Sequence, residues 1–402
     1  MNEALLVWLG EEIVGELRTS GRRSAQLHPA GPRIGLAAGV PDDGSPWPAD
    51  FTRAWFENLL PEEEPRTRIA ARFGLRPEDT WGLLERIGWE CAGAVAVLPS
   101  GRTPHSGSYQ ELSEPEIWQR LDELPGRPYE RDAALRMSLG GSQSKLLLAR
   151  RDDRWHQPLD GAPSTHILKP EPVYHPGLAV AEAWALRVAS SATLAADTKV
   201  MIAEGHAPTL VVTRFDREAV GDGVRRIHQE DMCQVLGILP DIKYAEHPEN
   251  DRQPSYLRLA AVLERGALDP TAELVRLLEH VTINVAIGNT DAHGKNTSIF
   301  HVSGGLQLTP MYDVAPTLAF IRQRHSGMSV AARFVITEIT REHLVREAHS
   351  WGMPERVARA TVDRVLDAIR KLGVPAADDL HPTLRPDVRA SALEQIARVA
   401  AS

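Results

Sequence analysis

The sequence predicts an α+β protein with a sheet-rich first half and a helical second half. Three observations carry this. Short apolar runs bounded by Gly, Pro and charged residues recur up to about residue 218, among them "ALLVWLG", "CAGAVAVLPSG", "KLLLAR", "THILKPE" and "TLVVTRFDRE". From 271 onward the apolar positions fall at helical spacing instead. Strands come first and helices later, without the regular alternation that builds a parallel doubly wound sheet.

Taken in order, residues 4–18 read as a hairpin, with apolar alternation on both sides of a glycine near the turn. A Gly- and Pro-rich loop runs to about 47. In "PADFTRAWFENLLP" the residues Phe51, Trp55 and Leu59 share a helix face, and Pro61 stops the helix. "RPEDTWGLLERIG" predicts another short helix, and "CAGAVAVLPSG" a buried strand. Residues 101–110 read as a loop and a boundary. "SEPEIWQRL" opens a helix with the capping-box pair Ser113 and Glu116 and with Pro115 in the first turn. A polar Gly/Ser loop then enters the strand "KLLLAR", and "THILKPE" is a second short strand. "GLAVAEAWALRVASS" is an Ala-rich helix, and "TLVVTRFDRE" is a strand running into charge. In "IHQEDMCQVLG", Gln229, Glu230 and Asp231 stand at a helix start, where acids suit the macrodipole. Leu274, Leu277, Leu278, Val281 and Val285 form one face of a long helix that ends at Gly288-Asn289. Three amphipathic helices follow after about 340.

A chain of 402 residues with 43% hydrophobic and 25% charged residues is long enough for two to three domains or one two-lobed body, and its core needs no covalent staples. Cys91 and Cys233 are far apart and form no ligand pattern, which predicts reduced thiols in a cytoplasmic protein and no zinc site. A net charge of −9 makes the chain as a whole a poor electrostatic match for nucleic acid. The N-terminus lacks the basic start of a signal peptide, and no apolar run reaches the ~18 residues that suggest a membrane span.

The chemistry concentrates in "AIGNTDAHGKNTSIFH". Asp291 and Asn296 stand in the spacing D-x-x-x-x-N, just past a helix. Protein-kinase catalytic loops use this spacing, with the Asp facing the acceptor hydroxyl and the Asn oxygen facing a metal ion. Lys295 would help neutralise a transferring phosphoryl group. The plain alternative is a polar turn. Downstream, Asp313 in "LQLTPMYDVAPT" has the chain order of the second metal-binding carboxylate, although no Phe-Gly follows it. Upstream, Lys169 lies on a short strand, as a phosphate-contacting lysine does, and Glu182 in the next helix would steady it. Taken singly, each is a common surface residue. "RMSLGGSQSK" has the composition of a phosphate-cradling loop but matches neither the Walker A nor the G-x-G-x-x-G pattern. "VVTRFDRE" would serve as a connector whose main chain meets adenine and whose Asp216 meets ribose. Together these parts run in the order of a two-lobed protein kinase.

The segments "SLGGSQSK", "THILKPE", "RFDRE", "HQEDMCQVLG", "NTDAHGKNTSIF" and "LTPMYDVAPT" resemble the successive motifs of HipA-type serine/threonine kinases, the toxin halves of bacterial toxin–antitoxin pairs. "VWLGEEIVGEL", "FENLLPEE" and "IGWECAGAVAVLP" are similar to that family's N-terminal subdomain, so the likeness runs from about residue 5 to about 320. The resemblance implies a kinase-like fold with a β-rich N-terminal lobe and an all-helical C-terminal lobe. Its expected division is 1–108, 109–216 and 217–402. It implies ATP and Mg²⁺ as cofactors, Asp291 as catalytic base, and Asn296 and Asp313 as metal ligands. It places Ser142, Gln143, Lys169, Thr213, Phe215, Asp216, His293 and Lys295 around the nucleotide, and makes Ser138 an inactivating autophosphorylation site. It implies an aminoacyl-tRNA synthetase as substrate and a small DNA-binding, HipB-like antitoxin as partner, through which DNA would be met indirectly. Relatives commonly carry Ala and Glu where this chain has Ser142 and Ser144, so these serines are further candidate phosphosites. Two other readings remain at this stage. One is a metal-dependent phosphohydrolase using Asp291, His293 and Asp313, which leaves Lys169 and Ser138 without a role. The other is a silent kinase-like binding module.

Overall fold

The computed structural model describes residues 4–19, 24–104, 107–124, 143–221, 223–245, 252–375 and 384–402. The chain packs as two compact units. The first comprises 1–170, 204–207 and 213–240, the second 171–203, 208–212 and 241–402.

The first unit begins with an antiparallel four-stranded sheet. Its order is Ala25–Pro29, Glu12–Thr19, Leu5–Leu9, Val95–Pro99. The expected hairpin is present, turning at Gly10 with φ 61°. Leu5, Val7, Leu17, Leu27, Val95 and Val97 form the inner face of the sheet. Against it pack the helices Ala49–Glu57 and Thr80–Ile87, through Trp55, Phe56, Leu83, Leu84 and Ile87. Trp55 and Phe56 meet edge-on at 4.9 Å between centroids, and Phe56 meets Trp81 at 6.1 Å. Such aromatic pairs add about 1 kcal/mol each to the apolar burial. Glu230 is buried beneath this layer, where it accepts from Trp55 Nε1 at 2.8 Å and from the Ala38 amide at 2.7 Å. Asp231 caps the short helix Met232–Leu236 in a reciprocal pair with Gln234.

Four further antiparallel strands follow in the spatial order Ser108–Leu112, Arg154–Leu159, Leu146–Arg151, His166–Pro170. The first begins inside the stretch expected to be a loop, because its alternation is short and its polar side chains face out. The tight turn between Leu146–Arg151 and Arg154–Leu159 places Asp152 and Asp153 at φ 47° and 61°, the pair of left-handed residues a type I′ turn requires. The helix Glu114–Glu123 has the expected capping box, with Glu116 accepting from the Ser113 amide at 2.8 Å.

The second unit is built around the helix Pro270–Ile287, capped by Asp269 and started by Pro270. Leu277, Leu278, Val281 and Val285 are buried as the periodicity requires, and Leu274 is half-buried. The helices Tyr256–Gly266, Arg341–Ser350, Glu355–Ala368 and Pro386–Ala401 pack against it. The first of these went unread in the sequence, although Ser255 caps it and Tyr256, Leu259, Ala260 and Leu263 repeat at helical spacing. The hairpin Ser298–Val302/Gly305–Leu308 packs on the long helix, and the hairpin His325–Val330/Arg333–Val335 on the helix Arg341–Ser350. The helix Leu178–Ala189 buries all of its residues except Arg187 and the half-buried Leu178, and Glu182, read as a partner for Lys169 with a solvated helix face as the alternative, is only 6% exposed. No described helix is long and apolar enough to cross a membrane.

Candidate active site

The long helix ends because Gly288 takes the left-handed conformation, φ 82°, and returns the chain so that the Asn289 amide bonds Asn284 O at 2.8 Å. A side chain there would be strained and would meet Leu318 at 3.2 Å. The chain then enters a network of short polar contacts. Asn289 Nδ2 donates to Asn284 Oδ1 at 2.8 Å, and its Oδ1 accepts from the Asp291 amide at 3.2 Å. The Thr290 amide donates to Thr317 Oγ1 at 2.7 Å. Both ends of the turn are therefore fixed before the candidate base is reached.

Asp291 to Asn296 form one closed turn. The His293 amide bonds Asp291 O at 2.8 Å, the Asn296 amide bonds His293 O at 3.0 Å, and Asn296 Nδ2 bonds Asp291 O at 2.9 Å. The spacing D-x-x-x-x-N thus has a local cause: the Asn amide nitrogen staples the turn, and its amide oxygen is the group left to bind something else. His293 and Lys295 are buried, and Asp291 and Asn296 are half-buried. Tyr244 donates its hydroxyl to Asp291 Oδ1 at 2.6 Å. The backbone of Gly327 presses on the same loop, with room for no β-carbon, since one would lie 2.7 Å from Ala292 C and His293 N.

Asp313 is held between two tethers to this loop. Its neighbour Tyr312 donates to Lys295 O at 2.6 Å and accepts from Ser298 Oγ at 2.6 Å, and Thr317 holds Thr290. Asp313 itself is left-handed, φ 57°. A non-glycine residue there costs about 1–2 kcal/mol, a strain found where surrounding contacts over-determine a functional position.

In the first unit, Lys169 is half-buried on the strand His166–Pro170, and Gln143 Nε2 bonds Pro170 O at 3.1 Å. Thr213 is exposed and Phe215 half-buried. Ser138 and Ser142 lie outside the described residues. Asp216 corrects its expectation. Its carboxylate is 2% exposed and grips Arg214 through two bonds, 2.9 and 2.8 Å. It also accepts from the Gly93 amide at 2.8 Å and lies 3.0 Å from Arg217. Burial by itself would raise this carboxyl, but the Arg214 and Arg217 guanidiniums outweigh it and hold it well below the usual carboxylate range. Glu90, fully buried, accepts from the same two arginines at 3.2 and 3.1 Å and from the Ser164 amide at 2.7 Å. Asp216 is therefore saturated by protein donors and anchors the connector rather than facing a ribose. Sequence reasoning missed this because Glu90 and Asp216 are 126 positions apart.

The structure thus brings Asp291, His293, Lys295, Asn296 and Asp313 onto one framework, and adds Tyr244, Asn289, Tyr312, Thr317 and Gly327. Of these Asn289 carried a sequence signal as the end of a helix, Tyr312 and Thr317 fell inside the quoted motif around Asp313, and Tyr244 and Gly327 carried none. Tyr244 lies in a loop without periodicity, and nothing near it marks it out.

Fold and loop together define a protein-kinase-like phosphotransferase. Residues 5–98 match the model of the HipA N-terminal domain, and residues 137–372 that of the HipA-like C-terminal domain. "Putative kinase Y4mE" of Sinorhizobium fredii is 34% identical over 343 residues, 83% of this chain and 80% of that protein. "Serine/threonine-protein kinase toxin HipA" of Shewanella oneidensis is 26% identical over 340 residues, 82% of this chain and 78% of that protein. A solved complex of Shewanella oneidensis HipA with HipB and operator DNA contains a chain of the same fold, with TM-score 0.82 and 24% identity, covering 99% of this chain and 96% of that one. The chain belongs to the HipA family of serine/threonine protein kinases.

Proposed function

We propose that this chain transfers the γ-phosphoryl group of ATP to a serine or threonine of another protein, and that it acts as the toxin of a toxin–antitoxin pair. Asp291 is the base that receives the acceptor hydroxyl proton. Lys169 contacts the nucleotide phosphates, with Gln143 beside the same strand. The main chain at Thr213 and Phe215 meets adenine. His293 and Lys295 line the phosphate side.

The observation that carries this reading is the staple between Asn296 Nδ2 and Asp291 O, 2.9 Å. It holds the residues that carry a carboxylate and a neutral amide oxygen on one rigid turn, which is the placement phosphoryl transfer asks of its base and metal ligand. The donor set fits magnesium: Asn296 and Asp313 offer hard oxygens, and among the described residues no cysteine stands in this loop. Magnesium held there would neutralise charge on the phosphate oxygens. The chain's own part is to orient the acceptor, hold the nucleotide and accept the proton. A phosphohydrolase reading gains nothing from the geometry, because it leaves Lys169 unused.

The partners named for the Shewanella oneidensis HipA structure, HipB and operator DNA, support an antitoxin partner, while the substrate and the Ser138 switch follow from the family resemblance. A HipB-like, DNA-binding antitoxin neutralises the chain, and DNA is met through it. The protein substrate is an aminoacyl-tRNA synthetase, whose phosphorylation stalls translation in the cytoplasm. Phosphate on Ser138 would place close to two negative charges beside the nucleotide phosphates and switch the chain off. The decisive experiment is Asp291→Asn incubated with radioactive ATP and magnesium. The variant is expected to fold and to lose essentially all labelling, and undiminished labelling would remove the assignment.

A further inference from the structure

We propose that Tyr244 is a positioning residue of the catalytic loop, its hydroxyl fixing the rotamer of the Asp291 carboxylate. The inference rests on the reading of Asp291 as the base. The main chain of Asp291 is already immobile: its amide is held by Asn289 Oδ1 and its carbonyl by the His293 amide and Asn296 Nδ2. What remains is rotation of the carboxylate about its own side-chain bonds. The bond from Tyr244 at 2.6 Å has the length of a charge-assisted hydroxyl–carboxylate contact and restrains that rotation.

The phenol can do this because it is itself locked. Its ring packs edge-on against His293, centroids 4.9 Å apart at 86°. Lys243 Nζ stands 5.6 Å from the centre of the same ring. The main chain on both sides is tied to the loop it serves. Lys243 O accepts from the Gly294 amide at 3.0 Å, and the Ala245 amide donates to Gly327 O at 2.9 Å. Gly327 in turn abuts Ala292 and His293, so the circuit from loop to tyrosine and back is closed. A group held by its own neighbours in this way keeps a base within the narrow tolerance that transfer needs. A carboxylate accepts about four hydrogen bonds, so phenol and acceptor hydroxyl can bind Asp291 together.

The test is Tyr244→Phe in the full chain, which keeps the ring stack and removes only the hydroxyl. Phosphate transfer from magnesium-ATP to casein and to the chain itself is followed. Turnover is expected to fall by about tenfold to a hundredfold, the cost of a misplaced reacting group, with the KM for ATP unchanged. Tyr244→Leu, which also removes the ring, is expected to be slower still and to melt at lower temperature. Wild-type turnover in the Phe variant overturns the proposal. So does faster turnover with a lower KM for casein, which would make the phenol a plug in the acceptor's place. Asp291→Asn run in parallel separates the two failures. A silent Asn variant beside an unaffected Phe variant removes the role of Tyr244 alone, and an active Asn variant removes the base itself.

Discussion

Asp313 joins a strained backbone to the role proposed for it. It sits at φ 57°, where a β-carbon is unfavourable, between Tyr312 and Thr317, which are both tied to the catalytic loop. Glycine tolerates this conformation and alanine does not. Asp313→Gly is therefore expected to be more stable than Asp313→Ala by about 1 kcal/mol in urea unfolding, while both lose magnesium-dependent transfer. Equal stability of the two variants would mean that the left-handed backbone is absent. Asp216 is the opposite case: its residue type suggested a ligand contact, and its surroundings make it an anchor.

Among elements, the strand His325–Val330 governs the loop it backs. Gly327 leaves no space for a methyl group against the main chain of Ala292 and His293. Main chain cannot swing aside as a flexible side chain does, so Gly327→Ala is expected to displace the loop and cost about 1–3 kcal/mol of stability, the range for overpacking. Transfer should fall more than stability does, since a shift approaching 1 Å costs about a hundredfold in rate. Comparing rate and melting temperature in the one variant checks this, and a rate that follows only the folded fraction would contradict it. The helix Pro270–Ile287 was legible because a long amphipathic segment carries its cap and its stop in sequence. The hairpin around Gly327 was not, because its strands are short and Gly-interrupted, and what defines them is the loop they press on.

At the scale of the molecule, each unit carries buried charge or potential charge that sets its response to acid. In the first, Glu90 and Asp216 share Arg214 and Arg217 in the interior. Burial draws Arg217 down to about 10, so it stays protonated at neutral pH. Arg214→Met leaves two buried carboxylates short of a cation, which is expected to cost about 3–5 kcal/mol in denaturant unfolding. Both carboxyls lie below their ordinary values, so the stability they confer is present above that range and is lost only as pH falls through it and below.

In the second unit, burial pushes the His280 imidazole from 6.5 down to about 3, and Arg276 acts in the same sense. Between those values the unfolded chain takes a proton that the folded chain refuses. The contribution of His280 is therefore complete above pH 6.5 and declines as pH falls, by about 1.4 kcal/mol per unit. Relative to its own value at pH 7, His280→Leu is expected to lose about 2 kcal/mol less than the parent at pH 5. An identical acid slope in parent and variant would place the imidazole in contact with water.

The sequence by itself determined the class of fold, the helix that delivers the loop, and the order of the residues proposed as lysine, base and metal ligands, because helical periodicity, capping and motif spacing are local properties of the chain. Only the tertiary structure decided that Asp216 faces inward, that Asp313 is strained, and that Tyr244 reaches Asp291. Those facts depend on side chains 47 to 127 positions apart meeting in space, the Tyr244–Asp291 bond at a solvent-reached edge and the Glu90, Arg214, Asp216 and Arg217 cluster in a dry interior, where a charge pair takes its meaning from its neighbours.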